Sequence, residues 1–373
     1  MLESLDSFVL PRDSGDSRYV KSFDVELDCD SAVQFFTSWG FVVFRDVYSA
    51  DECAATRDAM WGVIEDANEG FRRDDPRTWD EFKAAGKYGL SSRGPTFDAV
   101  LSSNRQHPRL CRALAAVLEA PEEDVMVSHD RFTIYRATHM DEALYGDGSR
   151  FRTGPRNIHL DMNPWWYLEN SPDILVGAKS LRYDDPQDFI KENNLIVRGM
   201  GPHVQCVLNF ADNTDRDGGT LIVPCFHKHL VSWTRRFLCL RKPVPFVSFS
   251  GRDGEACEAE LLQRGQRIAM RQGSVLVWSQ TVMHGTEPND SLTHRMAQFV
   301  KAFRRSCVLS ATCDSVSAAD NAARLERRGL ALQALLRETG ALDAVTPLGV
   351  SMFGLPKSAP AATASNQDPT DDK

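Results

Sequence analysis

Ile158-His159-Leu160-Asp161 and, further along, Val282-Met283-His284-Gly285-Thr286 running on to Arg295 are the stretches on which the reading of this chain turns. On a β-strand alternate side chains share a face, so His159 and Asp161, two residues apart, point at one place. His284 adds a second imidazole. Two imidazoles and a carboxylate form the facial arrangement that suits ferrous iron and leaves positions open for a cosubstrate and oxygen. Arg295, eleven residues beyond His284, carries the rigid fork that can hold the far carboxylate of an iron-bound keto acid through two charge-assisted hydrogen bonds. Taken alone, each motif has a plainer reading. His159 and Asp161 can be an ordinary hydrogen-bonded pair without a metal, and Arg295 can pair at the surface with a turn carboxylate such as Asp290.

A second triplet of the same pattern, His139-Met140-Asp141, runs into Glu142, Gly146, Asp147 and Gly148, which is loop composition, and is rejected as the ligand pair. Around His159 the alternation with Ile158 and Leu160 is that of a strand lining a cavity. Trp165, Trp166 and Tyr167 follow, giving aromatic surface that can pack a substrate or belong to the core. Arg150, Arg152 and Arg156 lie just upstream, either as receivers of an anionic substrate or as a solvated loop.

Working outward, 204–210, 220–223, 267–270, 274–278 and 295–303 read as strands, as do 125–135 and 157–165, with turns such as Gly218-Gly219, Gly273 and Pro288 between several of them. This is too β-rich for a parallel βαβ fold and points to an antiparallel sandwich or barrel with helices outside it. Three helices are expected before it and one after. The stretch 31–39 stops at Gly40, Ser49 and Glu52 form a capping-box pattern opening a helix to about residue 67, and Pro108 starts a third with Leu110, Leu114, Val117 and Leu118 on one face. The last spans 317–338, with Leu325, Leu332 and Leu336 on one stripe. Between the early helices, 68–98 is charged and broken by glycine and proline, so it reads as an exposed, mobile segment. The long connection 168–203 reads as a lid.

The 373 residues are 42% apolar, enough for a substantial core, and a formal charge of -9 gives a field that repels nucleic acid and anionic membrane. Neither a signal-length apolar run nor a membrane-length one occurs, and nine scattered cysteines fit reduced thiols, so a cytoplasmic setting is expected. Partners are then a small-molecule substrate, with no nucleic acid and no membrane; no motif speaks to oligomeric state.

Two further stretches complete the pattern. One is Gly40-Phe41-Val42-Val43-Phe44-Arg45-Asp46-Val47 with Asp51-Glu52-Cys53. The other runs from Asp212 through Gly218-Gly219-Thr220-Leu221-Ile222-Val223-Pro224 to Cys225-Phe226-His227. With the histidine and arginine motifs, in this order, they resemble the phytanoyl-CoA dioxygenase family of iron(II)- and 2-oxoglutarate-dependent oxygenases over roughly residues 33 to 305. Cys225-Phe226 departs from the family's glycine and serine. The resemblance implies a double-stranded β-helix, a jelly-roll, cupin-like barrel that is mainly β with flanking helices. It implies Fe(II) on His159, Asp161 and His284, with 2-oxoglutarate and O2 as cosubstrates and Arg295 as the principal contact of the keto acid.

Thr286 and Gln205 match positions where the family places polar groups near the cosubstrate. Arg131 and Tyr135, on the strand before the metal pair, can face the same cavity or be a surface ion pair and a core aromatic. Trp165 and Trp166 are the candidate substrate contacts. His227 falls in the family's proline-histidine turn, outside the metal shell, and His203 reads as structural. Halide-inserting relatives lack the carboxylate, so Asp161 implies hydroxylation or a related oxidation. The expected organisation is an extension at 1–30, the oxygenase domain at 31–305, a helical extension at 306–357 and a disordered tail at 358–373. Two rivals use the same ligands: a metal-binding jelly-roll without turnover, and a zinc-dependent hydrolase.

Overall fold

A computed structural model describes residues 9–83, 88–169, 203–238, 241, 247–249, 261–310, 312 and 317–356. The expected lid, apart from its ends, and the expected disordered tail lie outside the described residues.

Two antiparallel sheets face each other. The larger is ordered β1 (Phe41–Phe44), β9 (Val275–Ser279), β5 (Val204–Asn209), β11 (Arg295–Arg304), β2 (Val125–Val127), with β3 (Phe132–Tyr135) also on β11. The smaller is ordered β7 (Val247–Phe249), β4 (Asn157–Leu160), β10 (His284–Glu287), β6 (Gly219–Ile222), β8 (Gln266–Arg267). From β4 onward the chain crosses repeatedly between the two, which makes the expected double-stranded β-helix. Phe41, Val42, Val43 and Phe44 are all buried, as a four-residue apolar run in a core strand should be, and they pair with Trp278, Val277, Leu276 and Val275.

Helices cover the outer face of the larger sheet. The helix Cys29–Trp39 ends at Gly40, whose φ of 81° is the left-handed conformation that glycine adopts without penalty. Ser49 and Glu52 close the expected capping box on the helix Ala50–Ala67. Leu110, Leu114, Val117 and Leu118 of the helix Pro108–Leu118 are buried, each contributing about 1.5–3 kcal/mol if fully removed from water. On the outer face of the smaller sheet, Ile158 and Leu160 pack with Trp165, Phe226 and Trp233 in a separate apolar cluster. The alternation in β4 therefore splits outward Ile158 and Leu160 from Asn157 and His159, which face between the sheets.

Four expectations need correction. The single strand at 125–135 is two, because Ser128 to Arg131 breaks the run; Ser128, His129 and Asp130 are buried there. The strand at 157–165 stops at Leu160, since Asn163 Oδ1 accepts from the backbone N–H of Trp165 and Trp166 and opens the helix Pro164–Glu169. The stretch His284–Glu287, outside the strands expected above, forms β10, and His284 is its first residue. The segment 68–98 is not an exposed loop where it is described: Phe71, Trp79 and Phe82 are buried, and Leu90 bridges to Thr133 beside β3.

Candidate metal centre

His159 and His284 are direct cross-strand partners on β4 and β10, with ring centroids 4.4 Å apart. Asp161 lies just beyond the end of β4, on the same side as His159 by the strand alternation. One ligand atom from each of the three lies within 4.8 Å of the others. The tautomers follow from the partners. His284 Nδ1 lies 3.0 Å from the Val282 carbonyl, which can only accept, so Nδ1 carries the proton and Nε2 keeps its lone pair. His159 Nδ1 lies 3.2 Å from Asn157 Oδ1; the Asn157 amide nitrogen is turned to the Pro155 carbonyl, so this imidazole too is left with a free Nε2.

Burial pushes His284 down to about 3, helped by the neighbouring His159, so it is a neutral ligand at ordinary pH. Burial lowers His159 likewise, against the pull of Asp161. For Asp161, burial resists ionisation, but Lys301, the two imidazoles and a hydrogen bond from Gln205 outweigh it and hold the carboxyl well below the usual carboxylate range. The donor set is two neutral nitrogens and one anionic oxygen. It fits a ferrous ion.

Two residues along β10, Thr286 is flanked by Asn157 on β4 and Thr220 on β6, forming a polar row parallel to the histidine row and roughly 7 Å from it. Opposite, on β11, stands Arg295, only 2% exposed. Its nearest polar partner is the Thr220 hydroxyl at 3.5 Å, Nε has no partner, and no carboxylate pairs with it among the described residues. Burial pushes the guanidinium below its ordinary value. Gly219 makes room for it, because a Cβ there would lie 3.0 Å from Arg295 Nε. A buried cation facing a polar cavity asks for an anion. Arg295 lines the same cavity as His159, Asp161 and His284, so these residues fit 2-oxoglutarate, whose far carboxylate this cation would take.

Thr286 lines the same cavity of about 250 Å³ and shares a 2.6 Å hydrogen bond with the Tyr135 hydroxyl, which ties the two sheets together. Tyr135 also lies under the Arg295 guanidinium, 5.0 Å from it. Gln205 reaches Asp161, not the cosubstrate end, and Arg131 lines the wall while pairing with Asp130. Trp165 does not reach the cavity. Its ring is buried in the outer cluster and donates to the Thr234 carbonyl; Trp166 is half-buried and also off the cavity wall. Both are displaced by the helix that replaces the expected strand end.

The remaining candidates fall into structural places. Arg152 takes Asp290 in a two-point pair, Arg156 takes Glu287, and Arg150 takes Asp80, so the upstream arginines brace loops. Asp141 caps a short helix and His139 is exposed. His227 lies against Gly40 with its Nε2 3.0 Å from the Thr37 carbonyl. Cys225 takes the left-handed conformation at φ 62°, which the family's glycine adopts freely. Sequence reasoning missed Lys301, whose ammonium lies 3.5 Å from Asp161, and Tyr88 and Leu90 on the cavity wall. Lys301 had a signal: counting by twos along the strand from Arg295 places it on the same face.

No family model matches the chain. Among solved structures, the carbocyclase SnoK from nogalamycin biosynthesis is 16% identical at a TM-score of 0.42, covering 76% of this chain and 87% of that one. EctD from S. alaskensis with bound Fe is 16% identical at a TM-score of 0.44, covering 81% and 85%. A Dictyostelium discoideum protein carrying the phytanoyl-CoA dioxygenase name is far nearer in sequence, 33% identical over 285 residues, which is 74% of this chain and 76% of that protein. At that identity and reach, the chain belongs to the phytanoyl-CoA dioxygenase family, iron(II)- and 2-oxoglutarate-dependent oxygenases.

Proposed function

We propose that His159, Asp161 and His284 hold the iron, that Arg295 receives the far carboxylate of 2-oxoglutarate, and that the protein hydroxylates a C–H bond of a small-molecule metabolite. The observation that carries this is the buried Arg295 without a carboxylate partner among the described residues, facing the polar row of Asn157, Thr286 and Thr220. When bound, iron with 2-oxoglutarate and O2 supplies an oxidant strong enough for an unactivated C–H bond, with succinate and carbon dioxide as by-products.

The chain's own residues do the rest. His159 and His284 present Nε2 lone pairs fixed by their Nδ1 partners, so no ring has to turn when metal enters. Arg295 and the Tyr135–Thr286 pair orient the keto acid, which sets where oxygen and substrate can approach. Leu90, Val207, Phe299 and Trp278 supply an apolar wall that excludes water, with Tyr88 and Arg131 as polar points among them. Such a wall suits a metabolite with a hydrocarbon or ring portion. We place the reaction in the cytoplasm, in keeping with cysteines that are buried and free, among them Cys53, Cys111 and Cys206; among the described residues no helix is long and apolar enough to cross a membrane.

The test is anaerobic titration of 2-oxoglutarate into the iron-loaded protein, followed by exposure to oxygen. A visible charge-transfer absorption that appears with 2-oxoglutarate, and succinate formed in step with oxygen consumed, is the expected result. Activity that persists without oxygen would instead favour the zinc hydrolase. Metal binding with no succinate across a wide metabolite panel would favour the barrel without turnover.

A further inference from the structure

Asp161 has two carboxylate oxygens in different surroundings. Oδ2 accepts from Gln205 Nε2 at 2.8 Å and lies 3.5 Å from Lys301 Nζ. Oδ1 faces His159 Nε2 at 3.7 Å, on the side of the two imidazoles. Gln205 and Lys301 are direct register partners on β5 and β11, so a single cross-strand pair on the larger sheet reaches over to a ligand that follows the smaller one. The Asp161 backbone is held as well, its carbonyl accepting from Gln280 Nε2 at 3.1 Å.

We propose that Gln205 and Lys301 are positioning residues that occupy Asp161 Oδ2, leave Oδ1 as a one-oxygen ligand, and place a positive charge beside the iron that trades metal affinity for cosubstrate affinity. This rests on the reading of the triad as the metal site. The two members act in opposite senses. Gln205 is neutral and contributes a hydrogen bond, so its loss lets the carboxylate turn and weakens the site. Lys301 is a cation about 10% exposed, in surroundings where charges are poorly screened. It repels a divalent ion while attracting a dianion. Asp161, Lys301 and the iron then total one positive charge more than the iron and carboxylate alone, which suits a dianionic keto acid.

The experiment measures Mn(II) affinity by electron paramagnetic resonance and 2-oxoglutarate affinity of the Mn(II)-loaded protein by calorimetry. Gln205→Met is expected to weaken Mn(II) binding on the order of tenfold. Lys301→Met is expected to tighten Mn(II) binding roughly tenfold or more while weakening 2-oxoglutarate. Lys301→Arg keeps the charge and stays near wild type in both. Lys301→Gln replaces the methionine variant if that protein fails to fold.

Shifts of the same sign for Gln205→Met and Lys301→Met, as a merely structural loosening would give, overturn the proposal. So do unchanged affinities in both. An Asp161→Ala variant separates the underlying reading: if it binds Mn(II) as wild type does, the triad itself is wrong, whatever the other variants show.

Discussion

Arg295 and Arg328 are both buried arginines, and they end in opposite ways. Arg328, on the helix Ala318–Glu338, sends its guanidinium to the carbonyls of Phe353 at 2.7 Å and Val127 at 3.2 Å, so it ties the C-terminal helices to β2. Arg267, behind the cavity, is likewise spent on the carbonyls of Thr220, Ile268 and Thr214 and on the Asn213 side chain. Among the described residues Arg295 has a single hydroxyl, at 3.5 Å, and it lines the cavity. A structural arginine is satisfied by the fold, whereas one kept for a ligand is left short of acceptors until the ligand arrives.

The comparison can be broken by alanine at each position. Arg328→Ala leaves two buried carbonyls without donors and opens a cavity, and should cost about 4 kcal/mol of stability, read as a large fall in denaturation midpoint, with 2-oxoglutarate affinity unchanged in the protein that remains folded. Arg295→Ala should raise the 2-oxoglutarate dissociation constant roughly 100-fold while leaving the stability of the ligand-free protein within about 1 kcal/mol, because it removes a buried charge that the empty fold does not use. If Arg295→Ala instead unfolds the protein and spares cosubstrate binding, the two arginines have the same job and the site assignment falls.

Thr286 sharpens the picture at smaller scale. Thr286→Val keeps the shape of β10 but removes the hydroxyl shared with Tyr135, and should weaken 2-oxoglutarate about tenfold with Mn(II) affinity unchanged. An equal loss in both would mean that the polar row and the histidine row do not act separately.

Much of this was legible in the chain because the relevant signals are local. A capping box, a glycine stop and a buried Phe-Val-Val-Phe run are decided by neighbours within a few residues. The proposed metal ligands were legible for a related reason, as two of them share a strand face and the third precedes a long strand that carries Arg295. What could not be read depends on distant partners. Trp165 looked like cavity lining because the strand alternation around His159 was carried past Asn163-Pro164, a helix-opening pair whose turn sends the ring toward Thr234. The 68–98 segment looked exposed because its charges dominate its composition, yet buried aromatics among them, Phe71, Trp79 and Phe82, decide where it packs. Asp290 was a plausible partner for Arg295 by proximity along the chain; in space it belongs to Arg152.

His294, next to Arg295 in the chain, gives the smallest and most specific test of the division between structure and ligand. Its ring lies against Trp61 and Trp79, and Nδ1 accepts from the Ala137 backbone N–H at 3.0 Å, which requires the neutral form. Burial, aided by Arg136, pushes it down from 6.5 to about 4. A histidine whose folded value lies below its unfolded one contributes stability that is complete above pH 6.5 and drains away as pH falls toward 4, because the unfolded chain takes up the proton first. His294→Gln, which retains an acceptor without the titration, should therefore flatten the acid side of the stability curve by about 1–2 kcal/mol between those limits. Measured at pH 7.5, its 2-oxoglutarate affinity should match wild type, since the side chain beside Arg295 serves the fold and Arg295 serves the ligand; a tenfold loss there would mean that the start of β11 is one unit and the division drawn between the two arginines does not extend along the strand.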